Sequence, residues 1–164
     1  MEKDIENKIL NILKKLIEEN IDFYIVGGMA LVLYGIPRTT LDIDIIIPGD
    51  KEIIYKIFEI FEKENFKTEQ KDILSVNTVA LIEGQWITFE DEKGREIFDI
   101  LIEKKEKFEK VKKEVKKIKF GQNFLPVAPL KVIKEMKKET KRDIDIYDIE
   151  LIEKFEKENP DLTI

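Results

Sequence analysis

The stretch VGGMALVLYGIPRTTLDIDIII, residues 26–47, decides the fold that we expect for this chain. It begins with two adjacent glycines, Gly27 and Gly28, and it ends with Asp42 and Asp44 inside a run of leucine and isoleucine. A charged side chain among residues that leave water is costly unless a partner neutralises it. The two aspartates therefore need an explanation beyond packing.

The Asp-x-Asp pair indicates a metal site if its segment is a strand. Residues i and i+2 of a strand face the same side, so the strand that TLDIDIII predicts brings Asp42 and Asp44 together. Carboxylates so placed repel each other and resist desolvation. A divalent cation would relieve both effects, because carboxylate oxygens are ligands that Mg²⁺ prefers. The alternative is a pair of solvated aspartates at the edge of a strand, without a role.

A third aspartate lies in a similar apolar segment. Asp99 stands within EIFDILI, residues 96–102, which reads as another buried strand. If the two strands pair, three carboxylates meet on one face and can hold two Mg²⁺ ions. Such a site stabilises the charge on a phosphoryl group during its transfer.

A second Asp-x-Asp occurs near the C-terminus, at Asp143 and Asp145. We predict a helix there, and in a helix these two positions point in different directions. Asp143 is therefore predicted as a helix cap, and Asp145 is predicted to share a helix face with Asp148.

The two glycines lie between a predicted strand and a predicted helix. Glycine permits close approach of the backbone, and the first N–H groups of a helix are open to a phosphate. A tight turn would need glycine as well, so the pair alone is weak evidence. Beside a metal site, however, Gly27 and Gly28 are well placed to contact a phosphate, because a bound phosphate needs a cation next to it.

The remaining periodicity predicts an α/β or α+β fold, with a small mixed sheet and helices packed on it. Tyr24, Trp86 and Phe98 are predicted in or near the core. We predict a core over residues 1–125 and a short helical C-terminal region over 126–164. Helices are predicted over residues 3–20, 28–35, 50–65, 129–140 and 143–159, with a hairpin turn at 91–94 and Asp50 as a cap.

Composition excludes several kinds of chemistry. The 164 residues contain no cysteine and no histidine, which removes thiolate and imidazole ligands and Ser-His or Cys-His catalysis. The charged N-terminus and the lack of long apolar runs predict a cytoplasmic protein without a membrane segment. The 39% of charged residues, mostly Glu and Lys, is typical of heat-tolerant proteins and suggests a thermophile.

Charge is unevenly distributed along the chain. Residues 104–142 contain 15 Lys or Arg and 5 Glu, whereas the whole chain has a net charge of −6. This basic segment could steer a polyanion, and residues 104–119 could bind an RNA such as tRNA. The simpler alternative is that these lysines form solvated helix faces.

At this point the pattern resembles a known family. The order Gly27-Gly28, Arg38, Thr40, Asp42 and Asp44 is similar to the motif of the DNA polymerase β-type nucleotidyltransferase superfamily. Within it, the pattern more closely resembles small prokaryotic nucleotidyltransferase-like proteins, including the AbiEii-type toxin group. Their third carboxylate, on a later strand, corresponds to Asp99. Their C-terminal pattern matches Pro126, Pro129, Leu130, Met136, Lys137, Arg142, Asp145 and Asp148, with a departure at Ile144.

The resemblance implies a nucleotidyltransferase fold and a magnesium-dependent transfer of a nucleoside monophosphate from an NTP such as ATP. Catalytic and metal-binding roles are implied for Asp42, Asp44 and Asp99. Nucleotide contacts are implied for Gly27, Gly28, Arg38, Thr40 and Lys137. The acceptor hydroxyl could belong to RNA, a protein or a small molecule. The alternative is a catalytically silent module that binds a nucleotide or a partner protein in a toxin–antitoxin or defence system.

Overall fold

The computed structural model describes residues 3–40 and 42–162, which form six α-helices, six β-strands and three short 3₁₀ turns. The helices are α1 (Lys3–Glu18), α2 (Gly27–Leu33), α3 (Lys51–Lys63), α4 (Lys105–Lys112), α5 (Leu130–Thr140) and α6 (Asp143–Glu158). The strands are β1 (Tyr24–Val26), β2 (Ile43–Pro48), β3 (Trp86–Glu90), β4 (Glu96–Glu103), β5 (Lys116–Phe120) and β6 (Asn123–Val127). The 3₁₀ turns are Lys71–Ser75, Val79–Leu81 and Pro160–Leu162.

The strands form one mixed sheet with the order β3-β4-β2-β1-β6-β5. The central strand β2 runs parallel to β4 and antiparallel to β1, and β1 runs parallel to β6. The outer pairs, β3 with β4 and β5 with β6, are antiparallel. The prediction of a small mixed sheet with helices packed on it is therefore confirmed.

The two faces of the sheet are covered by different helices. On one face, the ring of Phe61 from α3 lies 4.3 Å from Phe89 and 4.9 Å from Phe98, measured between ring centroids. On the other face, Phe108 from α4 stacks on Tyr24 at 5.1 Å. Side chains alternate along a strand, so α4 lies on the face that carries Tyr24 and its strand partner Ile46. The end of this face beyond α4 carries the residues of the functional site.

Local signals predicted the helices well. Asp50 caps α3 as predicted: its Oδ1 accepts hydrogen bonds from the backbone N–H groups of Glu52 at 2.9 Å and Ile53 at 3.2 Å. The helix α1 buries one face, as the 3.6-residue spacing requires. That face consists of Ile5, Ile9, Ile12, Leu13 and Leu16.

Two local predictions were wrong. The strand β2 begins at Ile43, so Asp42 lies just before the strand and not within it; its neighbour Leu41 is outside the described residues. Asp143 is the first residue of α6 and not its cap. Asp145, in the first turn, instead accepts a hydrogen bond from the backbone N–H of Arg142 at 3.1 Å. A carboxylate at this position can satisfy a free N–H as well as one at the cap.

The C-terminal helices are tied to the sheet by β6. This strand crosses the predicted boundary between residues 125 and 126, and its Val127 pairs with Ile25 in the centre of the sheet. Just after the strand, the carbonyl oxygen of Ala128 accepts a hydrogen bond from the Tyr34 hydroxyl at 2.8 Å. The division at this boundary stays a prediction.

Of the three aromatic residues predicted in or near the core, two are buried. Tyr24 and Phe98 are 1% and 0% exposed. Trp86 is 40% exposed, so the prediction for this residue was wrong. It begins the edge strand β3, where one face of the strand borders an open cavity. Apolar character alone does not show which side of an edge strand is left uncovered.

Many lysines of the basic segment form ion pairs with acidic side chains. The pairs are Lys105–Asp50 (3.5 Å), Lys107–Glu103 (3.4 Å), Lys112–Asp22 (2.7 Å), Lys131–Glu114 (2.9 Å) and Lys134–Glu156 (2.6 Å). These pairs favour the simpler interpretation of solvated helix faces. In the part of the chain that the structure describes, no helix combines the length and the apolar character that crossing a membrane requires.

The aromatic cluster around Phe61 is expected to dominate the stability of the α3 side of the sheet. Phe61→Ala should lower the free energy of unfolding by about 3–5 kcal/mol, because it removes a fully buried ring and leaves a cavity. The matched control is Phe124→Ala, whose ring is 57% exposed and which should change stability by less than about 1 kcal/mol. Urea unfolding followed by circular dichroism measures both, and equal losses would contradict the assignment.

Candidate functional site

Three carboxylates meet at one edge of the β2–β4 pair. The parallel register places Asp44 directly beside Asp99, so both side chains leave the same face of the sheet. Asp42, just before β2, turns its carboxylate towards the same point. One oxygen from each of the three groups lies within 4.8 Å of the others, and all three residues are partly buried. The structure thus brings together the residues that the sequence singled out, and their metal-binding role stays a prediction.

Threonine hydroxyls hold two of the three carboxylates in place. Thr88 of β3 donates a hydrogen bond from Oγ1 to Oδ1 of Asp99 at 2.6 Å. Thr40 Oγ1 donates to the backbone carbonyl oxygen of Asp42 at 3.1 Å and lies 3.3 Å from its Oδ1. Each contact engages one oxygen of a carboxylate, so the second oxygen can still take part in coordination.

The crowding of negative charge is greatest at Asp44. Burial, followed by the charges of Asp42 and Asp99, raises the pKa of Asp44 to about 7, against the partial opposition of Lys137 and Arg142. A carboxyl group with this pKa is only partly ionised at neutral pH. A divalent cation would fit the site, because its positive charge offsets the mutual repulsion of three neighbouring carboxylates.

The glycine pair leaves room for these side chains. Gly27 has φ +72°, a conformation that residues with a side chain rarely adopt, and a Cβ there would overlap with Oδ2 of Asp44. A Cβ on Gly28 would lie 3.1 Å from Thr40 Oγ1 and 3.5 Å from the guanidinium carbon of Arg38. Gly27 is therefore required by backbone geometry and by the position of the carboxylate.

A group of cations faces the carboxylates, and buried acids hold it in place. Asp148 of α6 is fully buried and accepts hydrogen bonds from Arg38 Nε at 2.8 Å and from Lys137 Nζ at 2.7 Å. Both cations were predicted to bind nucleotide. The structure fixes them through an acid that itself lies behind the site.

Asp145 makes a second set of contacts beside the first. Its carboxylate accepts hydrogen bonds from Arg142 Nε at 2.8 Å, from Arg142 Nη2 at 3.1 Å and from Thr140 Oγ1 at 2.6 Å, and it lies 3.8 Å from Lys137 Nζ. Hydrogen bonds from Arg142 and Thr140 hold the pKa of Asp145 well below its usual range. As predicted, Asp145 and Asp148 share one face of α6; both serve the cations and not the carboxylate cluster.

These groups surround one cavity of about 700 Å³. This volume lies within the range of about 300–1,000 Å³ that small-molecule sites occupy. All eight residues predicted for catalysis or nucleotide binding line it. The complete lining is Val26, Gly27, Gly28, Arg38, Thr40, Asp42, Asp44, Trp86, Asp99, Ile133, Met136, Lys137, Thr140, Arg142, Ile144 and Asp145.

Sequence reasoning missed several residues of this site. Arg142 was noted only as part of a family pattern, Asp145 was placed on a helix face with Asp148 but given no partner, and Asp148 was not expected to orient Arg38. Thr88 carries no local signal, because its contact depends on the pairing of β3 with β4. The exposed position of Trp86 depends on which helices cover the edge of the sheet.

Comparison with known proteins identifies the fold. Neither a protein-family profile nor a curated protein matches the chain. A candidate nucleotidyltransferase from Thermotoga maritima is similar in structure, with a TM-score of 0.61, 17% identity and 96% of each chain covered. ANT(2″)-Ia in complex with adenylyl-2″-tobramycin has a TM-score of 0.66 and 18% identity, over 92% of this chain and 88% of that one.

A third similar structure is an antigenic nucleotidyltransferase-like protein from Paracoccidioides brasiliensis, with a TM-score of 0.51 and 17% identity. It is matched over 88% of this chain and 74% of its own. Likeness at these identities concerns the fold. The chain has the fold of nucleotidyltransferases, as the resemblance of its motifs implied.

The close approach of Gly27 and Asp44 leads to a first prediction for the site. Gly27→Ala should lower the free energy of unfolding by about 2 kcal/mol more than Gly94→Ala does. Both substitutions place a side chain at a positive φ, but only the one at Gly27 also overlaps with another side chain. Gly94 has φ +77° and open space around it. Thermal unfolding measures the difference. In the double variant Gly27→Ala/Asp44→Ala most of the extra cost should disappear, and a cost that persists there would refute the overlap.

The raised pKa of Asp44 leads to a second prediction. The folded protein binds a proton at Asp44 more tightly than the unfolded chain, so stability falls as pH rises from about 4 to about 7. Asp44→Asn removes this penalty. Without divalent cations it should raise the free energy of unfolding at pH 8 on the order of 2 kcal/mol, or about 4–8 °C in Tm, and much less at pH 5.

Thermal unfolding in EDTA at both pH values tests this prediction. The control is Asp72→Asn, an exposed aspartate in the first 3₁₀ turn, which should have the same small effect at either pH. A stabilisation by Asp44→Asn that is equal at pH 5 and pH 8 would show that charge is not its cause.

Proposed function

We propose that this protein is a magnesium-dependent nucleotidyltransferase. It moves a nucleoside monophosphate from an NTP to an acceptor hydroxyl and releases pyrophosphate. The observation that carries the proposal is the convergence of Asp42, Asp44 and Asp99 within 4.8 Å, at one wall of a cavity that also contains fixed cations. The shared fold with nucleotidyltransferases supports it.

The three carboxylates are the proposed ligands of Mg²⁺, and their number suits two ions. When bound, Mg²⁺ neutralises the carboxylates and stabilises the charge that develops on the transferred phosphoryl group. The oxygen of Asp99 that Thr88 does not engage has two lone pairs, so beside its proposed metal-binding role it is available to take the proton of the acceptor hydroxyl. The chain thereby provides a proton acceptor beside the site where the new bond between oxygen and phosphorus forms.

The phosphates of the NTP are proposed to lie at the glycine end of the cavity. Gly27 and Gly28 expose backbone there because neither has a side chain, and Arg38 and Lys137 face the same space. The pairing of both cations with Asp148 restricts their movement, which reduces the entropy that they lose when a phosphate binds. Thr40 acts mainly through Asp42. Arg142 is a further proposed phosphate contact on the same cavity.

The AbiEii-type toxin group is the subgroup that we propose within this superfamily. Its C-terminal pattern includes Lys137, Asp145 and Asp148, and in this structure these three residues form one connected set of ion pairs at the cavity. The intact carboxylate cluster favours an active enzyme over a silent binding module, because three crowded carboxylates are costly to keep without a cation.

Transfer of label tests the proposed activity. The protein is incubated with Mg²⁺, each α-³²P-labelled NTP in turn and total RNA or protein from the source cells. We expect transfer that EDTA abolishes and that Asp42→Asn or Asp44→Asn lowers about 100-fold or more. Asp72→Asn serves as the matched control and should retain activity.

Two outcomes would contradict the proposal in different ways. Transfer that survives both substitutions would refute the assigned site. Binding of NTP by calorimetry, without release of pyrophosphate on any acceptor, would instead support the silent module.

A further inference from the structure

We infer that the edge strand β5 is a docking site for an extended segment of a partner protein in which acidic and apolar residues alternate. This segment adds a seventh strand to the sheet. The inference goes beyond the proposed function and does not depend on it, because β1 and β6 separate β5 from the strands that carry the carboxylate cluster.

The two edges of the sheet differ in how the chain covers them. At the β3 edge, the side-chain amide of Gln70 bonds to the carbonyl oxygen of Trp86 and to the backbone N–H of Thr88. Further along this edge, the backbones of Lys67 and Glu90 exchange hydrogen bonds of 2.9 and 2.8 Å. At the β5 edge, the described part of the chain places no such group opposite the strand. One edge is therefore closed to a further strand and the other is open.

The hairpin turn determines which backbone groups of β5 point to the open side. The two-residue turn at 121–122 is closed by the pair of Phe120 with Asn123. The closing pair of such a hairpin exchanges its backbone hydrogen bonds, and bonded and non-bonded pairs alternate from there along the strands. Lys117 and Lys119 occupy the non-bonded positions, so their N–H and C=O groups point away from β6.

The side chains at the same two positions determine the preferred charge of a partner. Lys117 and Lys119 are exposed and lie on one face of β5. Within residues 3–40 and 42–162 neither forms an ion pair, in contrast to Lys112 and Lys131. Lysines on an edge strand oppose pairing with the same edge of a second copy, since like charges would face each other. Acidic side chains on the incoming strand turn this repulsion into attraction.

The other face of β5 borders a second cavity, of about 290 Å³. Its apolar lining includes Leu10 and Leu13 of α1, Met29 and Val32 of α2, and Phe120 and Leu125 of the hairpin. Leu125 pairs with Ile118, so Leu125 and Phe120 lie on the face opposite to the two lysines. A strand added about 4.8 Å beyond β5 turns every second side chain to this face. Apolar residues at those positions lie next to the hairpin wall of the cavity.

The three features together specify the class of partner. Open backbone groups give affinity for an extended polypeptide, and the side chains on its two faces give specificity. Here one face meets lysines and the other meets an apolar cavity, which selects acidic and apolar residues in alternation. A nucleic acid would use the lysines alone, and a small apolar ligand would use the cavity alone.

Titrations with a designed peptide test this inference. The probe is the end-capped, fluorescein-labelled peptide Glu-Val-Glu-Val-Glu-Val-Glu, and the control of equal charge is its isomer Glu-Glu-Glu-Glu-Val-Val-Val. We expect a saturable rise in anisotropy with the alternating peptide. The isomer should bind about tenfold more weakly, because only the alternating sequence presents one kind of side chain to each face.

Charge reversal identifies the strand that binds. Lys117→Glu/Lys119→Glu should raise the Kd of the acidic peptide about tenfold, and it should bind Lys-Val-Lys-Val-Lys-Val-Lys about tenfold more tightly than wild type does. The matched control is Lys67→Glu/Lys93→Glu, which reverses two exposed lysines near the β3 edge. It should leave both Kd values within about twofold of wild type.

Three further measurements test the backbone and the cavity. Lys119→Pro removes a donor on the open side, which an edge strand tolerates, and should raise the Kd about fivefold more than Lys119→Ala. N-methylation of alternate peptide amides tests the same bonds without a change in the protein, and should abolish binding. Val32→Asp places a charge at the cavity and should raise the Kd about tenfold, whereas Leu81→Asp, at an exposed leucine elsewhere, should not.

Four results would overturn the inference. The first is a wild-type protein that shows no saturable binding of the alternating peptide. The second is an unchanged Kd in Lys117→Glu/Lys119→Glu, and the third is undiminished binding of the N-methylated peptide. The fourth is a dimer of the chain alone, seen by light scattering, that Lys119→Pro but not Lys119→Ala converts into monomers. That result would assign the edge to a second copy.

Discussion

The parallel pairing of β2 with β4 is the constraint on which the rest of this structure depends. Its register places Asp44 beside Asp99 in a partly buried position, where burial and then the charges of Asp42 and Asp99 raise the pKa of Asp44 to about 7. Neighbouring features accommodate this arrangement. Gly27 has no side chain where Asp44 needs space. Thr88 donates a hydrogen bond to Asp99 from a neutral hydroxyl, which leaves the net charge of the cluster unchanged. The sheet thus concentrates negative charge at one point and keeps it there.

Two further buried acids organise the opposite wall of the cavity. Asp145 and Asp148, on one face of α6, fix Arg38, Lys137 and Arg142 by short hydrogen bonds. Removing a partner from such a buried pair is far more costly than losing a surface ion pair, because an unpaired charge would remain inside the protein. The C-terminal helices therefore contribute more than cover for the sheet, since they position the cations that face the carboxylate cluster.

The order of the strands gives this charge arrangement a direction. The glycines, the carboxylates and the exposed indole lie in succession across β1, β2, β4 and β3. A reaction with an in-line geometry has an entry side and an exit side, and the cavity offers chemically different surfaces at the two. The helix α4 occupies the far end of the same face through Phe108 and Tyr24, which confines the open part of that face to the functional site.

The sequence by itself determined the features that depend on neighbouring residues: the amphipathic face of α1, the cap at Asp50, and the apolar strands that carry Asp44 and Asp99. The family motif also indicated the fold, because its spacing reflects one strand–helix–strand unit. Only the tertiary structure decided the contact of Thr88 with Asp99, the burial of Asp148 against Arg38, and the exposure of Trp86. Those features depend on strand register and on which helix covers which edge. Both are set by the packing of residues far apart in the chain, for which no local pattern exists.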